Sequence, residues 1–457
     1  MARPSQPARL SSSRLSPLTL AAYAAPGAPV AITLYAVGVI VPGFYGSYVG
    51  LPAATIGLVL LVTRLADVLF DFAAGALSDM TRSAIGRRKP WLVVGAAVLA
   101  VAFMAQMTPQ KGAGAAYFLF GSLGFFLGWS LFSVPYDAWG SELAGDYASR
   151  ARLFTWRAAA GYVGSLIFSL IPLLPIFPST EYSPQTLRFI AWTAAGLMVL
   201  LVPLALVAVP REQHAPAARP DLKAFAATLR RNRPLRIYIG SAVLNGLSDG
   251  VFTALVFIYQ ANVMGFGRQM WLILVTYVGA NFLALPVWSA AVRRIGKHRA
   301  WALGLFLTAL CYPPMAFLAP GPASLAPMLV LVGLAGATYS IANVASPAVL
   351  GDVSDYETLR SGAGKAGAFF AVQALINKFN VAVGAGIGFL LIGAFGFDPA
   401  QGHHAPQAVF GVKFAHLYVP SLLKFGAIAL IWRFPLDARR QSIIRRRLDS
   451  LAARTPA

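Results

Sequence analysis

The sequence holds a single cysteine, Cys311, among 457 residues. One thiol cannot close an intrachain disulfide, and it cannot build a thiolate metal cluster or a Cys-x-x-Cys redox pair. Charge is scarce as well: Asp, Glu, Lys and Arg together make up 12% of the chain, about half of what a soluble domain carries. Acidic residues are the scarcer sign, 16 against 37 basic ones. No Gly-x-x-x-x-Gly-Lys phosphate loop occurs, which disfavours an ATP-driven pump. The polar residues need no catalytic explanation, so neither an enzyme nor a dedicated cofactor is expected.

Apolar residues fill the space instead: 58% of the chain is hydrophobic and the mean hydropathy is +0.66, which implies a polytopic membrane protein. Twelve spans are predicted near 18–49, 53–80, 90–109, 115–143, 152–176, 188–210, 235–264, 269–292, 299–318, 324–351, 366–395 and 413–434. Segments of about 20 residues or more cross a hydrocarbon core of about 30 Å, and longer ones tilt or run into the interface. The apolar run at 18–49 is far longer than the roughly 7–15 residues of a signal peptide core, so it is predicted to be the first membrane helix. Pro26, Gly27, Pro29 and Pro42 predict bends in it.

A net charge of +21 would elsewhere suggest nucleic acid. Here the basic residues lie in short loops and tails, so they read as topology signals and no nucleic-acid partner is expected. Loops after even-numbered spans hold Arg82, Arg87, Arg88 and Lys89, then Arg150 and Arg152, then seven basic residues between 211 and 236, while the opposite loops are nearly bare. The positive-inside rule therefore predicts both termini in the cytoplasm. The chain divides into a cytoplasmic segment 1–17, a six-helix bundle 18–210, a linker 211–234, a second bundle 235–434 and a basic tail 435–457. A weak repeat supports two halves: the second span ends GALSDMTRSAIGRRKPW and the eighth ends PVWSAAVRRIGKHRAW.

One stretch stands out. The span Ala53–Met80 carries Arg64, Asp67 and Asp71, although an ionised side chain at the centre of a membrane helix costs roughly 2.5–3.5 kcal/mol. The three share one helical face, with the carboxylates one turn apart. Two ionised carboxylates that close repel, and a proton or small cation relieves the repulsion.

The loop Gly75-Ala-Leu-Ser-Asp79-Met-Thr-Arg82, followed by Gly86-Arg-Arg-Lys-Pro90, resembles the loop between helices two and three of the major facilitator superfamily. More specific are the segments Pro135-Tyr-Asp-Ala-Trp-Gly-Ser-Glu142 through Asp146 to Arg152, Gly351-Asp-Val-Ser-Asp355 through Arg360, and Asn377-Lys378. With Asp67 and Asp71 they resemble the glycoside–pentoside–hexuronide:cation symporters, the melibiose permease family, over nearly the whole chain. That branch includes vertebrate sodium-coupled lysophosphatidylcholine transporters, so the resemblance leaves the substrate open.

The resemblance implies an all-α membrane fold of twelve helices in two six-helix bundles, working by alternating access. It implies that Asp67 and Asp71 bind the coupling cation, H+ or Na+, with Ser130 on helix four completing the site. Phe70 stands where sodium users often place a carboxamide, which puts a proton at least level with sodium as the coupling ion. Arg157 and Lys378 match basic residues of the central cavity. The melibiose-type sugar acids are missing: the matching stretch of helix one, Pro26 to Ile32, is uncharged, Ser133 replaces an acid on helix four, and Asp137 occupies the place of a stacking tryptophan. Ser133, Asp137, Arg157, Lys378 and Asp249 are therefore expected to meet an anionic or zwitterionic solute. Asp249 and Lys424 either line the same cavity, or pair with each other or with a neighbour.

Charges at the cytoplasmic side suggest a second role. Asp79, Arg82, Glu142, Asp146, Arg150 and Arg152 face Arg293, Asp352, Asp355, Glu357 and Arg360 in the other half, and bridges between them would close the cytoplasmic mouth in one state and break in the other. The expectation is a monomeric symporter in the inner membrane whose partners are a small solute, a coupling cation and the bilayer. Alternatives are a proton-coupled exporter, a carrier of lysophospholipid-like amphiphiles, and a non-transporting ligand sensor.

Overall fold

The computed structural model describes residues 15–110, 112–143, 147–211, 228–362 and 366–454, and every regular element among them is helical. The helices are α1 Pro17–Val49, α2 Ala53–Met80, α3 Lys89–Met107, α4 Ala115–Leu143, α5 Tyr147–Leu170, α6 Pro184–Ala208, α7 Arg233–Val263, α8 Gly267–Ile295, α9 Lys297–Met315, α10 Pro322–Ser361, α11 Ala366–Ala394, α12 Pro406–Ile431 and α13 Ala438–Arg454. Eleven of the first twelve are long and apolar enough to cross a membrane. The remaining one, α9, has 19 residues; Lys297, His298 and Arg299 at its start and Tyr312-Pro313-Pro314 near its end lower its apolar character.

Local chemistry explains where these helices start and bend. Ser16 caps α1 by accepting from the Thr19 N–H at 3.1 Å, and the helix is interrupted at Ala25–Pro26, where proline withholds a backbone donor. It widens into π-type turns at Ala36–Ile40 and Tyr45–Val49. The Ser183-Pro184 pair starts α6 four residues earlier than its hydropathy suggests, with Ser183 accepting from the Thr186 N–H at 3.3 Å. The largest departure is α10, which breaks at Ser340 and then runs on to Ser361 rather than ending near 351. At 40 residues it is about 60 Å long, twice the hydrocarbon thickness. Its polar end is held by Asp352 on Lys297 at 2.5 Å and by Glu357 accepting from Asn232 at 2.9 Å.

The basic tail is also helical. Asp437 caps α13, accepting from the Arg440 N–H at 2.8 Å, and this bond holds its carboxyl below the ordinary aspartate range. Buried Ile444 and the Arg445–Asp355 pair at 3.3 Å fasten α13 to α10.

The helices form two six-helix groups, α1–α6 and α7–α12, that meet along α1 with α7, α2 with α11 and α5 with α8. Close packing within a group uses small residues. Gly95 and Gly128 let α3 and α4 touch backbone to backbone, and a Cβ at either would collide with the other helix. Between the groups, contact lies mainly toward the face opposite the termini, hereafter the far face. There Asn262 donates to Ser47 at 3.0 Å, Thr180 donates to the Arg268 carbonyl at 2.7 Å, and Gly57 packs against Gly386. One apolar core is continuous across both groups at this end, whereas a second, around Leu235, Trp301, Val353 and Phe434, stays inside the second group on the termini face.

Candidate functional site

Helix α2 sorts its side chains by face. Leu58, Val62, Leu65, Leu69 and Phe72 are exposed, repeating every three or four residues, as a stripe turned toward lipid would. Arg64, Asp67 and Asp71 lie on the other side, turned into the protein, and Asp67 is buried at 1% exposure. On a 28-residue helix of about 42 Å, Asp67 and Asp71 fall about 21 and 27 Å from its start, in the membrane interior.

Three helices converge on these acids. Ser130 of α4 reaches Asp67 Oδ1 at 3.0 Å and Asp71 Oδ1 at 2.7 Å. Arg64 lies 3.6 Å from Asp67 Oδ2, with its guanidinium over the Phe126 ring at 4.0 Å. Lys378 of α11 pairs with Asp71, so this ion pair joins the two six-helix groups at mid-depth. With all four ionised, the cluster is neutral. The sequence pointed to Lys378 as a cavity cation, and the structure sets its ammonium on the second of the paired acids. The oxygens available to a small cation here are those of Asp67, Asp71 and Ser130. Among the described residues no group of three or more His, Cys, Asp or Glu side chains could hold a metal ion.

The other predicted site residues are spread over two places. Arg157 of α5 pairs with Asp137 of α4 and lies over the Tyr136 ring at 4.4 Å; the Asp137 side chain is 55% exposed. Ser133 is buried beside them in α4. Asp249 belongs to a separate cluster inside the second group. Lys424 Nζ lies 2.7 Å from its carboxylate and donates to Asn245 Oδ1 at 2.9 Å, while Asn245 donates to Asp249 at 3.0 Å. Of the arrangements open for Asp249 and Lys424, the structure shows the mutual pair. Tyrosines that composition alone did not single out also meet here: Tyr162 donates to Asn281 across the interface at 3.3 Å, and within the second group Tyr277 and Tyr339 are 6.0 Å apart ring to ring. Their only sequence signal is a phenol inside an otherwise apolar span.

On the termini face the described ion pairs each stay within one group. Asp79 binds Arg88 at 2.6 Å, and Glu142 binds Arg87 and Arg88, both at 2.8 Å. In the second group Asp352 binds Lys297, Asp355 binds Arg445, and Arg360 lies 3.9 Å from Glu357 while donating to the Arg231 carbonyl at 2.6 Å. Arg82, Arg152 and Arg293 are exposed. Asp146 lies outside the described residues, as does the side chain of Arg150. Among the described residues, the ion pairs that cross between groups are Lys378–Asp71 at mid-depth and Arg268–Glu181 at the far face, 3.5 Å.

Two helical groups closed at one face, with charged residues from both meeting at mid-depth, define a multi-pass membrane transporter rather than an enzyme. The chain belongs to the MFS/sugar transport protein family, whose model matches residues 22–438. It is 25% identical over 409 residues to a glucuronide carrier protein homolog of Escherichia coli strain K12, covering 87% of this chain and 88% of the relative. It is 24% identical over 374 residues to the inner membrane symporter YicJ of the same organism, covering 78% of each. The crystal structure of the nucleoside transporter NupG shares the fold, with a TM-score of 0.63 at 16% identity over 92% of this chain and all of that one.

Proposed function

We propose that the protein is a cation-coupled symporter that carries a small anionic glycoside-like solute inward across the inner membrane, with both termini in the cytoplasm. The observation that carries this reading is one hydroxyl shared by two acids. Ser130 has a single proton to donate, yet it lies within hydrogen-bond distance of both Asp67 and Asp71. The second contact is a hydrogen bond only when that acid itself holds a proton; with both acids ionised, a cation coordinated among the three oxygens relieves the crowding instead. The site thus has a place for one exchangeable positive charge.

Lys378 competes for that place. Its ammonium offsets Asp71 in this closed-far-face arrangement, and an arriving proton or sodium ion does the same work and frees Lys378 from α2. A freed ammonium between the groups then attracts an anionic solute, which ties ion binding to solute binding. Arg157 offers a second contact: its planar guanidinium exchanges the exposed Asp137 carboxylate for a carboxylate or sulfonate of the solute. The resemblance to a glucuronide carrier homolog and the loss of the neutral-sugar acids support an anionic sugar derivative. The membrane potential adds driving force, about 2.3 kcal/mol per charge per 100 mV, or roughly a fifty-fold gradient. On this cycle the carboxylates of the termini face trade their partners within each group for partners across the mouth when the far face opens.

The test is uptake of radiolabelled glucuronides into proteoliposomes under imposed sodium or proton gradients. Asp67→Asn and Asp71→Asn are expected to abolish accumulation above equilibrium while leaving insertion intact. Full concentrative uptake by both variants overturns the assignment, and accumulation only under the reversed gradient establishes export.

A further inference from the structure

A cavity of about 650 Å³ opens on the termini face where the α8–α9 turn, the end of α12 and helix α13 meet. Six basic side chains line it, Arg293, Arg294, Lys297, Arg299, Arg439 and Arg445, against two carboxylates, Asp352 and Asp437. Lys297 is engaged by Asp352, and Arg445 by Asp355. Arg293, Arg294, Arg299 and Arg439 are exposed and have no carboxylate within salt-bridge distance among the described residues. Basic side chains outnumber carboxylates in this lining by six to two, so the concavity is a standing site of positive potential.

A second cavity, of about 540 Å³, continues from the first, sharing His298, Arg299, Phe434 and Asp437 and adding Trp432. Trp432 directly follows the end of α12 and is 66% exposed. Amphipathic aromatics favour the headgroup level of a bilayer, and a basic pocket at a helix end is what an anionic headgroup seeks. The two adjoining cavities therefore offer guanidinium groups along the α8–α9 turn and an apolar indole where α12 leaves the membrane.

We propose that this arginine-lined cleft binds the phosphate of an anionic phospholipid, with the headgroup on Arg293, Arg294 and Arg299 and the acyl chains descending past Trp432. Forked guanidinium donors suit a phosphodiester. The combination of a basic cleft and an adjoining exposed indole favours a lipid over a free phosphate, which would use only the former. Through Arg439 of α13, which lines the same cavity, the bound lipid would bridge the α8–α9 turn to α13 and so fasten the tail at the membrane surface. None of this depends on which solute or ion the protein carries.

The test titrates delipidated protein, in neutral detergent, with short-chain phosphatidylglycerol, with phosphatidylcholine of equal chain length and with glycerol phosphate, counting bound molecules by native mass spectrometry. Phosphatidylglycerol is expected to bind and phosphatidylcholine to bind far less. The triple substitution Arg293→Gln, Arg294→Gln and Arg299→Gln is expected to weaken binding on the order of a hundredfold, about fivefold per basic residue. Arg446→Gln with Arg447→Gln, on α13 but outside the cleft, is expected to leave it within about twofold. If the triple variant melts early, Arg299→Gln alone supplies the reading, at about fivefold. Equal binding by the cleft variant, or an equal loss in the Arg446 and Arg447 variant, overturns the site. Glycerol phosphate binding as tightly as the lipid overturns the lipid assignment.

Discussion

Breaking the Lys378–Asp71 pair is expected to open the far face. The pair fastens α11 to α2, and Lys378 and Asp71 are 27% and 21% exposed, between the surface and the fully buried case. Exposed pairs contribute about 0.2–1 kcal/mol and removal of one partner of a buried pair costs about 3–5, so about 2 kcal/mol is the appropriate magnitude here. That is about a thirty-fold shift in the balance between closed and open forms. Cys311 is the only cysteine and it is buried, so a Cys311→Ser background carrying Ser47→Cys reports one position. Ser47 is held by Asn262 at 3.0 Å across the closed far face. Maleimide labelling of that cysteine from the far side is expected to quicken about thirty-fold with Lys378→Gln or Asp71→Asn. The double variant should match either single one, because both remove the same interaction. Unchanged labelling in all three, or effects that multiply in the double variant, would refute the idea that this pair restrains the closed form.

Other outcomes follow from the geometry. Lys424, with its side chain 1% exposed beside Asp249, is expected to cost about 3–5 kcal/mol when replaced by Met, with much of the loss restored by adding Asp249→Asn; thermal unfolding of the single and double variants checks this, and simple additivity would count against it. A Cβ on Gly57 would meet the Gly386 carbonyl at 3.0 Å and Phe389 at 3.1 Å, so Gly57→Val is expected to separate α2 from α11 and raise labelling of the same Ser47→Cys reporter. The Arg440 N–H holds the folded-state Asp437 carboxyl below its ordinary range, so its support of α13 is complete above the ordinary aspartate value and fades as pH falls through the lower folded one. Amide exchange in α13 should quicken over that acid range, and Asp437→Ala should produce the same rise at neutral pH.

Much of this architecture could be read from residue order, because a membrane span must keep one face apolar toward lipid and turn its few charges into the protein. The stripe Leu58, Val62, Leu65, Leu69 and Phe72 on one side of α2 leaves Arg64, Asp67 and Asp71 no direction but inward. Ser130 was singled out only through the family resemblance, and the structure sets its hydroxyl against both acids. The pairing of Lys378 with Asp71 was not legible, since the two are 307 residues apart and nothing local in either helix specifies the other. Asp249 stayed open for a related reason: an acid inside an apolar span signals burial with a partner, and it does not say whether that partner is solute or lysine. Hydropathy misplaced the ends of α10 and overlooked α13. Beyond the hydrocarbon those segments are held by ion pairs and a side-chain cap, and a scale that counts only apolar residues is blind to both.

The anchoring of α13 to α10 gives the molecule a handle. Because Asp355 receives both Arg445 and Gln441 while Ile444 is buried in the second group's own core, the chain beyond the last span travels as cargo of that group alone. A fluorophore on the exposed side of α13, paired with one on the α2–α3 loop, would register the rocking of one bundle against the other from outside the translocation path, leaving every residue that meets ion or solute untouched.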